Sequence, residues 1–516
     1  MSDTSADRDS RWPRALFIVT VAAVIRLAFA ALIPIFPDEA YYWEWSRHLA
    51  AGYFDHPPAI ALLIRLTGEA SSLGVRFGPI LSGFVAAVTT VAIAHRLGGG
   101  RAALRAAIVI TVLPLAAAGL ILATPDSPLL AATALSLYCL VRALHEPVGS
   151  RTSFRWWIAT GVALGAAFVS KYTSIFLPLA VVVAVLIRPK LRARLREPGP
   201  YVACVIATLA FLPVLLWNAH HGWISFLFQV RHGLSAPQGS ALVAAWKHEG
   251  DFFGGQAGLA SPILFVLFVI ATSRSLKRRA TDTQFVLATV ALVSFAFFIY
   301  SALRQRVEPN WPAPAYIPAI VLLATTSSRR IAKKWFNGGV VLAAAMSIAI
   351  YAQAIVPVLP IPPNKDPIAR AFGWAELAAA ADSLANATTS QAVAGPSIGF
   401  AMRPAKTWLG GDRYQEAAAL AFHIAGHPTT FATNLSGRPN QYDLWPKFPN
   451  LARPGDNLLL VLDESDEPHA AVRALLPYFT AARRGDLVML RRGTGAIGTR
   501  RLWLLLGWKS GWPVVH

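Results

Sequence analysis

The stretch FPDEAYYWEWSRHLAAGYFDHPP, residues 36–58, decides how the rest of the chain is interpreted. It follows a hydrophobic segment at about residues 15–35, which is long enough to cross a bilayer. Within it, the carboxylates of Asp38 and Glu39 and the pair Asp55–His56 lie among Tyr and Trp residues. Carboxylates among aromatic side chains just after a predicted span indicate chemistry at a membrane face.

The composition places the chain among polytopic membrane proteins. Its 516 residues are 55% hydrophobic and only 14% charged, whereas roughly a quarter of the residues of a soluble protein are charged. The net charge of +20 does not indicate a nucleic-acid partner, because most Lys and Arg residues lie in short loops between apolar segments. That pattern is typical of cytoplasmic loops. Cys139 and Cys204 both lie in apolar runs, which excludes a disulfide framework or a cysteine-based metal cluster.

Eleven apolar segments are candidate spans, and the charges of the loops between them predict their orientation. The segments are approximately residues 14–35, 76–96, 105–123, 128–143, 156–170, 172–187, 201–217, 258–273, 283–303, 311–328 and 338–358. Basic clusters mark alternate loops, the last of them at Arg329, Arg330, Lys333 and Lys334. Placing these clusters in the cytoplasm puts the N-terminus inside and the C-terminus outside the cytoplasm.

The segment between Arg155 and Arg188 is predicted to enter the membrane and return on the same side. Two short helices that meet near residues 170–172 achieve this within the available length. An unpaired lysine at that depth would be costly, so Lys171 is expected to face a polar cavity or a phosphate rather than lipid.

From about residue 360 the composition changes, and Asp, Glu, Asn and Gly become common. Residues 458–462 (LLLVL) and 487–490 (LVML) are predicted strands, and residues 416–424 have helical periodicity. Residues 502–506 are too short to span and are a candidate for an interfacial segment. We therefore predict a transmembrane domain at residues 1–359 and a small extracytoplasmic α/β domain at residues 360–516.

Two interpretations of Asp38–Glu39 remain open. Asp38 could cap a helix that carries the aromatic residues after it. A cap needs only Asp38, however, and the adjacent Glu39 costs charge repulsion unless something is bound. A carboxylate partly desolvated among indole rings could have a raised pKa suited to accepting a proton.

The other polar motifs also have two interpretations. Asp55 and His56 precede two prolines and could cap a helix, or they could contact substrate or metal. A divalent cation held by Glu39, Asp55 and His56 is possible, although their spacing matches no standard metal motif and no cofactor is required.

A short turn and an outer loop supply the remaining candidates. Asp126 lies in a turn between prolines, where aspartate is common. Arg304 and Arg306 lie in a predicted outer loop, contrary to the positive-inside trend, and could bind either a phosphate or a lipid headgroup.

Seven motifs together resemble the bacterial polyprenyl-phosphate-sugar glycosyltransferases related to protein mannosyltransferases and to the lipid A aminoarabinose transferase. They occur in order along almost the whole chain: PDEAYYWEWS (37–46), GYFDHPP (52–58), TPDSPL (124–129), SKYT (170–173), NAHHGWISFLFQ (218–229), EPNWPAPAY (308–316) and GRPNQYDLW (437–445). The resemblance implies a GT-C architecture, namely a helical membrane domain, an acidic first outer loop and a C-terminal outer domain.

The resemblance also implies a reaction. One sugar would pass from a polyprenyl monophosphate to an acceptor hydroxyl outside the cytoplasm, usually with inversion, at the inner membrane of a bacterium. Asp38 would be the general base or would orient the acceptor, with Glu39 assisting and Asp126 a second acidic position near the acceptor or sugar. Lys171 would stabilise the departing phosphate. The other predicted substrate- or phosphate-binding residues are Tyr172, Asp55, His56, Arg304, Arg306, Glu308 and Asn310.

The acceptor and two other functions remain open at this point. Lipid A or its core saccharide, another cell-envelope glycan and protein hydroxyls are all compatible with the motifs. A transporter or flippase of a lipid-linked substrate would favour charged residues at mid-membrane, whereas the acidic residues here concentrate in predicted outer loops. A non-catalytic scaffold would leave the paired carboxylates unexplained.

Overall fold

The computed structural model describes residues 5–68, 70–234, 241–326, 331–393, 405–435, 438–463 and 469–513. Arg329, Arg330 and Gly437, which belong to predicted motifs, lie outside these ranges, as do the last residues of the predicted span 311–328. The chain forms two compact units. We call Met1–Leu32 with Leu49–Val358 the membrane unit, and Ile33–His48 with Leu359–His516 the C-terminal unit.

The described residues form mainly helices, with one sheet. The helices are α1 (Ser5–Leu32), α2 (Pro37–Arg47), α3 (Ala59–Thr67), α4 (Ser72–Val112), α5 (Pro114–Gly119), α6 (Asp126–His145), α7 (Arg151–Phe168), α8 (Phe176–Ile187), α9 (Pro189–Arg192), α10 (Gly199–His220), α11 (Ile224–Leu234), α12 (Ala241–Ala260), α13 (Pro262–Ser275), α14 (Asp282–Ala302), α15 (Ala313–Thr325), α16 (Lys333–Ile355), α17 (Trp374–Val393), α18 (Tyr414–His423), α19 (Phe448–Leu451) and α20 (Ala470–Leu475). The strands are β1 (Thr407–Gly411), β2 (Thr430–Ala432), β3 (Asn457–Asp463), β4 (Phe479–Arg492) and β5 (Gly495–Trp508).

The predicted helical membrane bundle is confirmed, but the predicted count of about eleven spans is not. Among the described residues, six helices are long and apolar enough to cross a membrane, or up to eight spans if each of two bent helix pairs forms one. The predicted segments 76–96 and 105–123 both overlap α4, which is interrupted at Gly99 by a backbone φ of 68°. Glycine adopts this left-handed conformation without a steric penalty.

The predicted pair of short helices around Lys171 is confirmed. Helix α7 ends at Phe168, a short 3₁₀ turn covers Tyr172–Ile175, and α8 begins at Phe176. Lys171 therefore lies in the break between two helices.

Helix α15 forms the interior of the membrane unit. From Ala315 to Ala324 its side chains are all buried, as expected for a helix that is hydrophobic on every side. It packs against α4, α6, α13 and α14. The turn that precedes it, which carries Asn310, is consequently attached to the most enclosed helix of the unit.

The C-terminal unit contains a five-stranded sheet in the order β2–β1–β3–β5–β4. β2, β1 and β3 are parallel, and β5 and β4 are antiparallel to their neighbours. The predictions of a strand at 458–462, a strand at 487–490 and a helix at 416–424 are confirmed by β3, β4 and α18. The interpretation of residues 502–506 as an interfacial segment is wrong, because they form the buried centre of β5 between β3 and β4.

The C-terminal unit also includes α2, which the sequence analysis placed within the transmembrane domain of residues 1–359. Trp43 of α2 packs edge-on against Phe422 of α18, with ring centroids 5.1 Å apart. Arg47 donates a 2.8 Å hydrogen bond to the carbonyl of His427. The aromatic residues of α2 therefore pack this helix against the other elements of the C-terminal unit.

A buried ionic network fixes the first turn of α18. Glu416 accepts a hydrogen bond from the backbone N–H of Arg413 at 3.0 Å and lies 3.3 Å from Arg500 Nε. Arg500 also contacts Asp463 at 2.6 Å. Burial raises the pKa of Glu416 to about 7, although Arg500 acts in the opposite direction.

Replacing Glu416 with glutamine should change how stability depends on pH. Between pH 4.5 and 7 the folded chain holds a proton on Glu416 that the unfolded chain has released, so this residue lowers stability as pH rises through that window. The shift corresponds to roughly 3 kcal/mol. In thermal unfolding of the full chain, the Tm of Glu416→Gln minus that of the wild type should therefore increase from pH 5 to pH 8.

Glu376→Gln provides the matched control, because Glu376 is exposed on α17 of the same unit. Its Tm difference from the wild type should not vary with pH. A Tm difference for Glu416→Gln that is constant across the range would contradict the assignment.

Candidate active site

A hydrogen-bonded cluster of three polar side chains joins three separate motifs in the membrane unit, and one of these side chains, Asn310, is exposed. Lys171 Nζ donates to Asp126 Oδ1 at 2.6 Å, and Asn310 Nδ2 donates to Asp126 Oδ2 at 2.7 Å. Asp126 and Lys171 are 7% and 8% exposed. Both carboxylate oxygens are thus satisfied, as a buried carboxylate requires.

This cluster borders an apolar cavity of about 290 Å³ within the membrane unit. Asp126, Asn310 and the hydroxyl-bearing residues Thr124 and Tyr316 line it together with aliphatic side chains of α4, α5, α6 and α15. An apolar cavity with a few convergent polar groups is the usual form of a ligand site.

The turn that carries Asp55 and His56 is held by the motif at residues 218–229. Ser225 donates to the carbonyl of Tyr53 at 2.7 Å, and Gln229 Nε2 donates to the carbonyl of Asp55 at 2.6 Å. The N–H of Tyr53 closes the turn on the carbonyl of His56 at 3.1 Å. Two of the motifs noted in the sequence are therefore structural partners.

Tyr172 belongs to this second group. Asn218 Nδ2 donates to its hydroxyl at 3.3 Å, and its ring lies 4.9 Å from that of Phe226. Because Tyr172 follows Lys171 directly in the chain, the two groups meet at the break between α7 and α8.

The acidic pair of α2 lies in the C-terminal unit, and its two members have different environments. Glu39 is buried and accepts the backbone N–H of Phe36 at 3.0 Å, which caps the helix. One of the two interpretations of this acidic pair made Asp38 the capping residue. Since α2 begins at Pro37, Asp38 is already inside the helix, and its carboxylate instead accepts the Tyr414 hydroxyl at 3.0 Å.

The Asp38 side chain is exposed, yet surrounding protein atoms weaken the hydration of its carboxylate and raise its pKa. The hydrogen bond from Tyr414 and the charges of Arg438 and Arg370 act in the opposite direction. Since water reaches the carboxylate, it screens part of both effects. The net effect is a raised pKa of Asp38, which favours proton uptake by its carboxylate.

Three predicted binding residues lie apart from the Asp126 cluster by their described contacts. Arg304 donates to the hydroxyl of Tyr300 at 2.7 Å, in the preceding turn of α14. Arg306 and Glu308 form a 3.4 Å ion pair in which both side chains are at least half exposed. An exposed pair of this kind contributes little stability.

The possible metal ligands are divided between the two units. Glu39 belongs to the C-terminal unit, whereas Asp55 and His56 belong to the membrane unit. In the described part of the chain, no group of three or more His, Cys, Asp or Glu side chains is arranged to hold a metal ion.

The sequence analysis missed the residues that hold the Asn310 turn. Gln256 of α12 is fully buried; its Nε2 donates to the Pro309 carbonyl at 3.0 Å, and its Oε1 accepts the Tyr316 hydroxyl at 2.8 Å. The sequence signal for these residues was a glutamine and a glycine inside the apolar run of α12. A buried side-chain amide such as that of glutamine needs hydrogen-bond partners.

Gly255→Ala should reduce activity by displacing this turn. A Cβ at residue 255 would lie 2.5 Å from Pro309 Cγ, so the turn that presents Asn310 to Asp126 must move. Small displacements of positioned groups cost up to about a hundredfold in rate. Gly254→Ala is the matched control, since its Cβ would meet nothing within 4 Å. Equal turnover by the two variants would contradict this role of Gly255.

Comparisons with known proteins show what the chain resembles in sequence and fold. Residues 55–217 match the family described as dolichyl-phosphate-mannose-protein mannosyltransferase. The structure of ArnT from Cupriavidus metallidurans bound to undecaprenyl phosphate superposes with a TM-score of 0.62, covering 96% of this chain and 98% of that one at 18% identity. The chain has the GT-C fold. The apo structure of the same ArnT gives a TM-score of 0.60 at 17% identity, covering 95% of this chain and 97% of that one.

A curated relative is similar to part of this chain. Lipid A galacturonosyltransferase RgtD of Rhizobium johnstonii (strain DSM 114642 / LMG 32736 / 3841) is 27% identical over 308 residues, which cover 59% of this chain and 62% of the relative. The match therefore spans less than two thirds of that relative. The predicted resemblance to polyprenyl-phosphate-sugar glycosyltransferases is confirmed.

Proposed function

We propose that the chain transfers one sugar from a polyprenyl-phosphate donor to a hydroxyl of lipid A or another cell-envelope glycan. The observation that carries this proposal is the Asp126–Lys171–Asn310 cluster, in which Asp126 and Lys171 are buried and Asp126 and Asn310 line an apolar cavity. The cavity offers apolar surface to a lipid chain, and the cluster offers a cation to a phosphate. The same fold has been solved with undecaprenyl phosphate in ArnT.

The proposed step is a displacement at the anomeric carbon. The acceptor oxygen forms a bond to this carbon while the bond to the donor phosphate oxygen breaks, and attack from the opposite side inverts the configuration. The acceptor proton passes to the carboxylate of Asp38, and the electron pair of the broken bond stays on the polyprenyl phosphate. The raised pKa of Asp38 makes its carboxylate a stronger base toward that proton.

Lys171 is proposed to stabilise the phosphate as its charge increases. An ammonium group has three N–H donors, and its bond to Asp126 uses one of them. Asp126 therefore orients Lys171 without consuming its capacity to donate. A fixed cation in a site with little water stabilises developing negative charge more strongly than one in bulk solvent.

Lipid A and protein hydroxyls are the two acceptors to compare. The name of the Rhizobium relative favours lipid A, and makes galacturonic acid the first sugar to test. The description of the matching family model favours a protein hydroxyl. We place the reaction on the extracytoplasmic face of the bacterial inner membrane, since the charge alternation of the loops puts the acidic first loop there.

Mass spectrometry of a deletion strain tests the proposal. Lipid A from a strain lacking the chain should be lighter by one sugar per modified site, and expression of the wild-type chain should restore the mass. A sugar lost from proteins but not from lipid A would support the second acceptor. Unchanged lipid A, surface glycans and proteins would contradict the function.

A further inference from the structure

The C-terminal unit holds the helix that carries Asp38, and its contacts with that helix are specific. Tyr41 of α2 is buried, and its hydroxyl accepts the backbone N–H of Gln441 at 2.7 Å. The Tyr41 ring stacks on that of Tyr442 with centroids 6.2 Å apart and planes at 15°. The motifs at residues 37–46 and 437–445 are thus contact partners across about 400 residues of sequence.

Within these contacts, one hydroxyl reaches the proposed base. Tyr414 is the first residue of α18, and it follows the carboxyl end of the parallel strand β1 after two residues. Loops at this end of parallel strands commonly carry functional groups. The Tyr414 ring lies 4.3 Å from that of Tyr41, and its hydroxyl donates to Asp38 Oδ1 at 3.0 Å.

The position of Tyr414 is itself fixed from two sides. Glu416 caps the first turn of α18 through the Arg413 N–H, and the ionic contact with Arg500 holds Glu416 against β5. On the other side, the Tyr41 ring limits the rotation of the tyrosine. A donor held in this way restricts its acceptor more than a mobile donor does.

We infer that Tyr414 is a positioning residue that orients the Asp38 carboxylate for proton transfer. This inference rests on the proposed function, in which Asp38 is the base. Nothing in the family resemblance assigns a role to Tyr414, which lies outside every motif quoted above. The hydrogen bond also selects the ionised form of Asp38, because a carboxylate accepts a hydroxyl proton better than a carboxylic acid does.

The pH profile distinguishes orientation from a merely structural role. The charged and titratable groups that face Asp38 are Tyr414, Arg438, Arg370 and Glu39. Of these, Tyr414, Arg438 and Arg370 favour the carboxylate and Glu39 disfavours it. Loss of the Tyr414 hydroxyl should therefore raise the pKa of Asp38 and move the acidic limb of kcat/KM to higher pH.

The experiment compares the pH dependence of sugar transfer by the full-length wild type, Tyr414→Phe and Tyr442→Phe. Tyr442→Phe removes a hydroxyl from the same ring cluster, and Asp38 is not among the described partners of that residue. At pH values on the acidic side of the limb, Tyr414→Phe should lower kcat about tenfold, with KM little changed. The limb itself should lie at higher pH than in the wild type. Tyr442→Phe should leave the limb where it is in the wild type.

The possible results distinguish a failure of the Tyr414 role from a failure of the proposed function. A Tyr414→Phe limb that coincides with the wild-type limb, together with loss of transfer in Asp38→Asn, would overturn the inference and leave the proposed function intact. A wild type that transfers no sugar would overturn both. Thermal unfolding of each variant shows that it is folded, and a lower Tm with an unchanged limb would count against positioning.

Discussion

Asp38→Asn should lower the rate of sugar transfer by at least about a hundredfold, because asparagine cannot accept the acceptor proton and general-base catalysis contributes 10²–10⁴. The substitution preserves the size of the side chain and an oxygen that can accept the Tyr414 hydroxyl. Glu39 still caps α2 and Tyr41 still anchors it, so the helix should keep its place. The measurement is the single-turnover rate of transfer with purified protein and saturating donor.

Asp282→Asn is the control for this prediction. It makes the same chemical change at the first turn of α14, where Asp282 lies 4.0 Å from Arg188, and a surface contact of this length contributes little. Its rate should remain within about twofold of the wild type. Near wild-type transfer by Asp38→Asn would exclude Asp38 as the base.

Lys171→Met should slow transfer severely and also destabilise the membrane unit. The rate should fall by about 10²–10³, the usual cost of removing one group that stabilises transition-state charge. The variant leaves Asp126 buried with only Asn310 as a described partner, and an uncompensated buried charge costs about 3–5 kcal/mol. The rate and the Tm of the purified protein are the two measurements.

The double variant Asp126→Asn with Lys171→Met separates these two effects. It removes both charges, so stability should return toward the wild-type value while transfer stays lost. Recovery of transfer along with stability would show that Lys171 has only a structural role.

Local signals in the sequence predicted several elements of the fold. The uninterrupted apolar run 458–462 predicted β3, because a strand buried on both faces is continuously hydrophobic. The break around Lys171 followed from the length of chain between two basic loops. The number of spans did not follow, since Gly99 divides α4 within a continuous apolar stretch and α15, although apolar, has only 13 residues.

Long-range contacts set the limits of what could be predicted about the site. Asp126 and Lys171 were identified as candidates from local polarity in apolar surroundings and Asn310 from the family resemblance, but their mutual hydrogen bonds were not predicted. Asp38 and Tyr414 are 376 residues apart in the sequence, and no local pattern indicates such a contact. Which of Asp38 and Glu39 caps α2 depends on the residue at which the helix begins. Element boundaries are the least predictable feature of a sequence.

Transfer by the purified chain tests the central claim most directly. The full-length protein in lipid nanodiscs would receive undecaprenyl phosphate carrying a radiolabelled sugar, with lipid A as the acceptor. We predict that label appears on lipid A and that one undecaprenyl phosphate is released for each sugar transferred. Intact donor after prolonged incubation, or transfer from a nucleotide sugar without any lipid-linked donor, would contradict it.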